Sequence, residues 1–164
     1  MECLLEDLIK HIWDNMPGLK VVDEDYGQLE ALGQEGTDQY PLTFPAVLIE
    51  APSTEWSNIG ELNQKGTSTI RVRLIIDCYD DTHASSGTTH LIADREAQRH
   101  ELHKLLHGYR IGENSALMRA NSRFYSAAHG IKVYESTYTV TVTEIIEQTT
   151  VTAQAKPKIS VKAR

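Results

Sequence analysis

The stretch TSTIRVRLIIDCYD, residues 67 to 80, decides the fold. Its apolar and polar residues alternate, and a period of two is typical of a β-strand with one buried face. One face carries Ile70, Val72, Leu74, Ile76 and Cys78, and the other carries Arg71, Arg73, Asp77 and Tyr79. We therefore predict a long strand whose apolar face packs against the hydrophobic core.

The N-terminal segment has a different period. Residues 3 to 15 place Leu and Ile side chains three and four positions apart, and a Pro-Gly pair follows. This spacing predicts an amphipathic helix that ends before the proline. Trp13 falls on the same side of the helix as Leu5 and Ile9, so we predict that Trp13 belongs to the core.

Three further segments have strand character: LKVVDEDYG (19 to 27), FPAVLIEAP (44 to 52) and GIKVYESTYTVTVTEII (130 to 146). The last alternates Tyr and Val with Thr, which predicts a long strand with a Thr-rich outer side. The polar stretches 27 to 43 and 53 to 69 are predicted to be loops, and residues 109 to 128 favour neither helix nor strand. The order of elements predicts an α+β domain with an antiparallel or mixed sheet and two main helices on one face.

A second helix is predicted from about His90 to His107, capped by Thr88 or Thr89 and closed by Gly108. It contains HELHKLLH, in which His100, His103 and His107 have the three- and four-residue spacing of metal ligands. On a helical wheel these histidines and Glu96 lie away from Leu102, whereas Leu91, Gln98, Leu105 and Leu106 lie near it. We therefore expect a solvated histidine face without a metal. A subunit interface and a working metal site are the alternatives.

Composition and charge narrow the classes of function. The chain has 164 residues, 40% apolar and 24% charged, which fits one folded domain, and no apolar run is long enough for a membrane helix. The acidic N-terminus is unlike a signal peptide, so a cytoplasmic chain with free thiols at Cys3 and Cys78 is expected. The net charge is −7, and because residues 149 to 164 carry +4, the first 148 residues carry −11. Such a body repels a phosphate backbone, so no direct nucleic-acid binding is expected.

The C-terminal segment TTVTAQAKPKISVKAR, residues 149 to 164, differs from the body. It is predicted to be a basic arm or disordered tail outside a single α+β domain spanning residues 1 to 148. If it is an arm, it pairs with an edge strand of a neighbouring subunit, and its basic residues meet the acidic body. The candidate interface residues are Trp56, Lys156, Lys158, Lys162 and Arg164.

The sequence gives only weak evidence for a catalytic or metal-binding site elsewhere. Asp77, Asp80, Asp81 and His83 cluster after the long strand and are candidates for a divalent ion or for acid-base catalysis. The chain contains no GxSxG, GxGxxG or GxxxxGK[ST] motif. We therefore predict no enzyme activity and no cofactor.

The order of LLEDLIKHIW, FPAVLIE, TIRVRLIIDCYD, ELHKLLHG and IKVYESTYTVTVTE resembles the small tail-terminator and tail-completion proteins of long-tailed bacteriophages and prophages. The resemblance covers about residues 1 to 147. It implies a non-catalytic virion protein of the tail or neck, assembled in the bacterial cytoplasm. Its partners would be other copies in a ring, typically a hexamer, and tail-tube and head-connector proteins. The alternatives are a metal-dependent enzyme using the His or Asp clusters, and a small cytoplasmic binding module using Trp56.

Overall fold

A computed structural model describes residues 2–32, 42–79, 81–127 and 130–146. Within these ranges it contains three helices and a six-stranded mixed sheet, which confirms the predicted α+β class. The helices are α1 (Glu2–Asn15), α2 (Gln28–Ala31) and α3 (Leu91–Leu106). The strands are β1 (Val21–Glu24), β2 (Ala46–Ile49), β3 (Ser53–Asn58), β4 (Asn63–Asp77), β5 (Met118–Ser126) and β6 (Ile131–Ile145).

The two longest strands form the centre of the sheet. β4 and β6 run antiparallel and pair along fifteen residues, from Asn63 opposite Ile145 to Asp77 opposite Ile131. The strand order is β1-β2-β4-β6-β5, and β3 also pairs with β4, beyond the end of β2. Among the strands that the structure describes, only β1 and β2 run parallel. Both long alternating segments are thus confirmed as strands.

One face of the sheet carries the main core. Ile70, Val72, Leu74 and Ile76 of β4 pack with the apolar faces of α1 and α3, as predicted. The two helices also contact each other, since His11 Nε2 of α1 lies 3.2 Å from the Leu105 carbonyl oxygen of α3. The His11 ring also stacks on Tyr109, just after α3, with a centroid distance of 3.7 Å.

The prediction for Trp13 is wrong. Its side chain is 51% exposed, although Leu8 and Ile12 of the same helix are fully buried. The stripe of α1 that faces the sheet is centred on these smaller residues, and Trp13 lies about 100° from Ile12 around the helix. Trp13 therefore lies at the edge of the stripe, although it shares a side of the helix with Leu5 and Ile9.

The opposite face of the sheet is covered at one end. Leu29 of α2 and the segment around Phe44 pack on Ala46, Leu48 and Ile75, forming a second, smaller core. The predicted loop over 27 to 43 therefore begins with a short helix, and residues 33–41 lie outside the described chain. Beyond this cover the same face presents Thr67 and Thr69 of β4 beside the Thr residues of β6.

The clearest difference between the predicted and the observed secondary structure concerns residues 53 to 69. They were predicted to be a loop, but they form β3, a tight turn and the first half of β4. Most of β3 is exposed, so it has no apolar alternation for sequence analysis to detect. Pairing with β4 stabilises it instead, because an antiparallel ladder satisfies the backbone whatever the side chains are.

Helix α3 is rotated slightly from its predicted orientation. Its buried residues are Arg95, Leu102 and Leu106, whereas Leu91 and Leu105 are only half-buried. Arg95 lies seven residues before Leu102 and therefore on the same face of the helix. Its guanidinium donates to the Cys78 sulfur at 3.0 Å. The predicted Thr caps are wrong, because His90 occupies the N-cap position and the two Thr hydroxyls donate to loop carbonyls instead. The helix ends at Leu106 with His107 as its C-cap, and Gly108, the predicted end, follows with φ 87°.

Candidate interaction surface

The three helix histidines do not form a metal site in the described residues. His100 is exposed, His103 is half-buried with Nδ1 3.0 Å from the Tyr138 hydroxyl, and the Nδ1 of His107 accepts from the backbone N–H of Arg119 at 3.2 Å. Glu96 forms an ion pair with Arg99. No three His, Cys, Asp or Glu side chains converge on one point within the described ranges.

His103 differs from the predicted solvated histidine. Burial, and then the nearby charge of Arg119, lower its pKa below the usual value. Burial also raises the pKa of Tyr138, its partner, to about 12. The predicted exposure of all three rings therefore fails for His103, which lies against the sheet.

The lowered pKa of His103 predicts pH-dependent stability. In the unfolded chain His103 takes up a proton near its ordinary pKa of about 6.5, whereas in the folded chain it takes up the proton only at lower pH. The free energy of unfolding is therefore highest above about pH 6.5 and falls as the pH decreases. Replacing His103→Gln should flatten this dependence, measured as the free energy of unfolding in urea between about pH 7.5 and 5.5. Lys104→Gln, an exposed neighbour, should keep the wild-type slope. An unchanged slope in the His103 variant would contradict this reading.

The acidic loop after β4 forms local contacts. His83 Nε2 lies 3.0 Å from Asp81, and both side chains are largely exposed. The other ring nitrogen of His83 contacts the hydroxyl of Ser85 at 3.0 Å. Asp77 is exposed, and Asp80 lies outside the described residues. This pair lacks the enclosed, water-poor surroundings that acid-base catalysis uses.

Sequence analysis missed a buried ionic cluster on the second face of the sheet. The Arg73 side chain is 8% exposed and forms ion pairs with Asp25, itself 9% exposed, and with Glu30. Burial opposes the charge, but hydrogen bonds to Glu30 and Asp25 outweigh it and raise the pKa of Arg73 further. The alternation of β4 predicts that Arg73 lies on the polar face of the strand. That face is covered at Arg73 because α2 packs on it, which the sequence of β4 alone does not indicate.

A second ion-paired group lies further along that face. Glu135 is 8% exposed and accepts two hydrogen bonds from Arg123 of β5, at 2.8 and 2.9 Å, while Arg71 lies 3.7 Å away. The hydrogen bond to Glu135 raises the pKa of Arg123. These contacts join β4, β6 and β5 and leave Arg123 at the surface.

The outer edge of β5 is open. Among the described residues β5 pairs only with β6, and nearly every side chain along it is exposed. Phe124 is 56% exposed and stacks on Tyr134, and Met118 is 50% exposed. Ile92 of α3 lines the same groove as Phe124 and is 46% exposed. An unpaired edge with apolar neighbours is a surface on which another chain can pair.

Trp56 lies on β3 and over a glycine. It pairs with Gly66 of β4, and Val142 of β6 lies opposite Gly66 on the other side. The missing side chain at Gly66 leaves room for the indole, which is 40% exposed. Trp56 also borders a groove of about 410 Å³ between α1, the end of β6 and the loop after α3.

Filling the glycine position should displace the indole. A Cβ at residue 66 would lie 2.5 Å from Thr54 Cγ2 and 2.9 Å from the Trp56 ring. Gly66→Ala should therefore cost about 1 to 3 kcal/mol of stability and shift the Trp56 fluorescence. Gly18→Ala, where a Cβ meets nothing within 4 Å, is the control. Unchanged fluorescence in the Gly66 variant would show that the ring does not depend on this gap.

The other predicted interface residues, Lys156, Lys158, Lys162 and Arg164, lie outside the described chain. No helix in the described ranges has the length and apolarity needed to cross a bilayer.

No protein-family model matches the sequence, and no curated protein matches it. The chain is similar to a chain in the structure described as "Virion of native gene transfer agent (GTA) particle", with 10% identity and a TM-score of 0.49. The match covers 85% of this chain and 91% of that one. Similarity at this level is below what establishes a shared fold.

Proposed function

We propose that this chain is a structural component of a phage-like virion, in which its copies form a ring that caps the tail tube and joins it to the head. The open edge of β5 carries this proposal. Within the described residues no strand pairs with its outer edge, although His107 accepts from the Arg119 N–H near one end, and exposed apolar side chains lie beside this edge. Ring subunits use such heterologous surfaces, because one edge pairs with a different surface of the next copy.

Two further features support a role in assembly. The first 148 residues carry −11, and a ring of acidic subunits would let DNA pass without binding it. The open part of the second sheet face also presents uncharged Thr side chains at residues 67, 69, 139 and 141. The sequence resemblance to tail-terminator proteins agrees with these features. Under this proposal residues 1 to 148 form the subunit body, and residues 149 to 164 form an arm that stitches neighbours together.

The proposal predicts where the chain is found. In density-gradient fractions from an induced culture of its native host, the chain should band with phage-like particles, at a few copies per particle relative to the major tube protein. The measurement is quantitative mass spectrometry of the gradient fractions. Recovery only among soluble proteins at the top of the gradient, while other tail proteins band with particles, would contradict the proposal.

A further inference from the structure

The groove beside Trp56 combines an apolar floor with an acidic rim. Leu4 and Ile111 are buried at its base, and Trp56 and Val142 line it from the sheet. Asp7 of α1 and Glu144 of β6, both exposed, supply carboxylates at its border. The groove holds about 410 Å³, enough for a few side chains but not for a folded partner.

The chain itself contains a segment with matching chemistry. KISVK, residues 158 to 162, alternates two lysines and a serine with Ile159 and Val161. In an extended conformation Ile159 and Val161 point to one side, and the lysines point to the other. The apolar pair matches the floor of the groove, and the flexible lysine stems can reach its carboxylates.

The position at which the described chain ends makes this pairing feasible. Glu144 lines the groove, and the described part of the chain ends two residues later at Ile146. The twelve residues from there to Lys158 span up to about 40 Å when extended. This length allows the segment to reach the groove of its own chain or of an adjacent copy.

We infer that the groove bordered by Asp7, Trp56 and Glu144 binds the basic C-terminal segment of this chain, with Ile159 and Val161 inserted and Lys158 and Lys162 paired with the carboxylates. The site is a peptide-binding groove, and its ligand is an extended basic segment with two aliphatic side chains. It does not require the ring or a virion, so it stands independently of the proposed function.

A fluorescence titration tests this inference. The protein is the chain ending at residue 148, which keeps every described helix and strand, and the ligand is a synthetic peptide of residues 149 to 164. The chain has two tryptophans, so Trp13→Phe leaves Trp56 as the only reporter. The peptide should change the Trp56 emission saturably. Absence of binding at millimolar peptide would overturn the inference.

Matched variants separate groove binding from general charge attraction. Asp7→Asn with Glu144→Gln should weaken binding roughly fivefold or more. Asp94→Asn with Glu101→Gln removes the same charge from the exposed face of α3 and should leave the affinity unchanged. A peptide with Ser at 159 and 161 keeps all four basic residues and should bind at least about tenfold more weakly. Equal affinities for both peptides, or for both pairs of variants, would overturn the inference.

Discussion

Replacing Leu74→Ala should destabilise the protein by about 2 to 5 kcal/mol, the usual cost of emptying a core position. Leu74 is fully buried on β4, between Val47 and Tyr134 in the neighbouring strands and beneath the two long helices. The surrounding sheet is held by backbone pairing on both sides, so it can collapse only partly into the cavity. The measurement is the free energy of unfolding in urea.

Thr69→Ala is the matched control for Leu74. Thr69 lies on the same strand but is exposed on the opposite face, so its replacement should cost less than about 1 kcal/mol. A loss below about 1 kcal/mol for Leu74→Ala would mean that the faces of β4 are reversed.

Replacing Arg73→Met should be comparably severe, at about 3 to 5 kcal/mol, because it leaves a buried carboxylate without its cation. Asp25 is the group affected most, since its side chain is 9% exposed. Adding Asp25→Asn to the Arg73 variant should restore part of the loss, because the amide carries no charge to desolvate.

Lys10→Met provides the control for this second prediction. It breaks the exposed pair of Lys10 with Glu6 and should change stability little, since solvent screens such pairs. If the Arg73 variant were as stable as this control, Arg73 would not be part of a buried cluster. If Asp25→Asn gave no recovery, the cost of the Arg73 change would lie in packing rather than in charge.

The central part of the fold was predictable because it depends on side-chain alternation. Ile70, Val72 and Leu74 lie on the buried face of β4 as the period of two indicates, and α1 and α3 lie where their spacing places them. Burial on one side of an element leaves a local signal in the sequence. This signal was sufficient for the class of the fold and for the main core.

The failures share a different cause, since each depends on distant parts of the chain. β3 is polar and stabilised by its ladder with β4, so nothing within its own sequence distinguishes it from a loop. Arg73 and Arg95 are buried because Asp25 and Cys78 meet them across the fold. The groove at Trp56 likewise depends on Gly66, whose lack of a side chain has meaning only once the strands are paired. The open edge of β5 falls in the stretch that sequence periodicity left unassigned.

Self-association of the full-length chain is the most direct test of the proposed ring. Native mass spectrometry and sedimentation velocity over subunit concentrations from micromolar to millimolar would follow it. Because the subunits are proposed to close into a ring, we expect one discrete oligomer to grow with concentration, without a ladder of larger species. Charged substitutions at Met118 and Phe124 on the β5 edge should abolish that oligomer while leaving the monomer folded. If the chain stayed monomeric at all these concentrations, or if the substitutions left the oligomer unchanged, assembly through β5 would be contradicted.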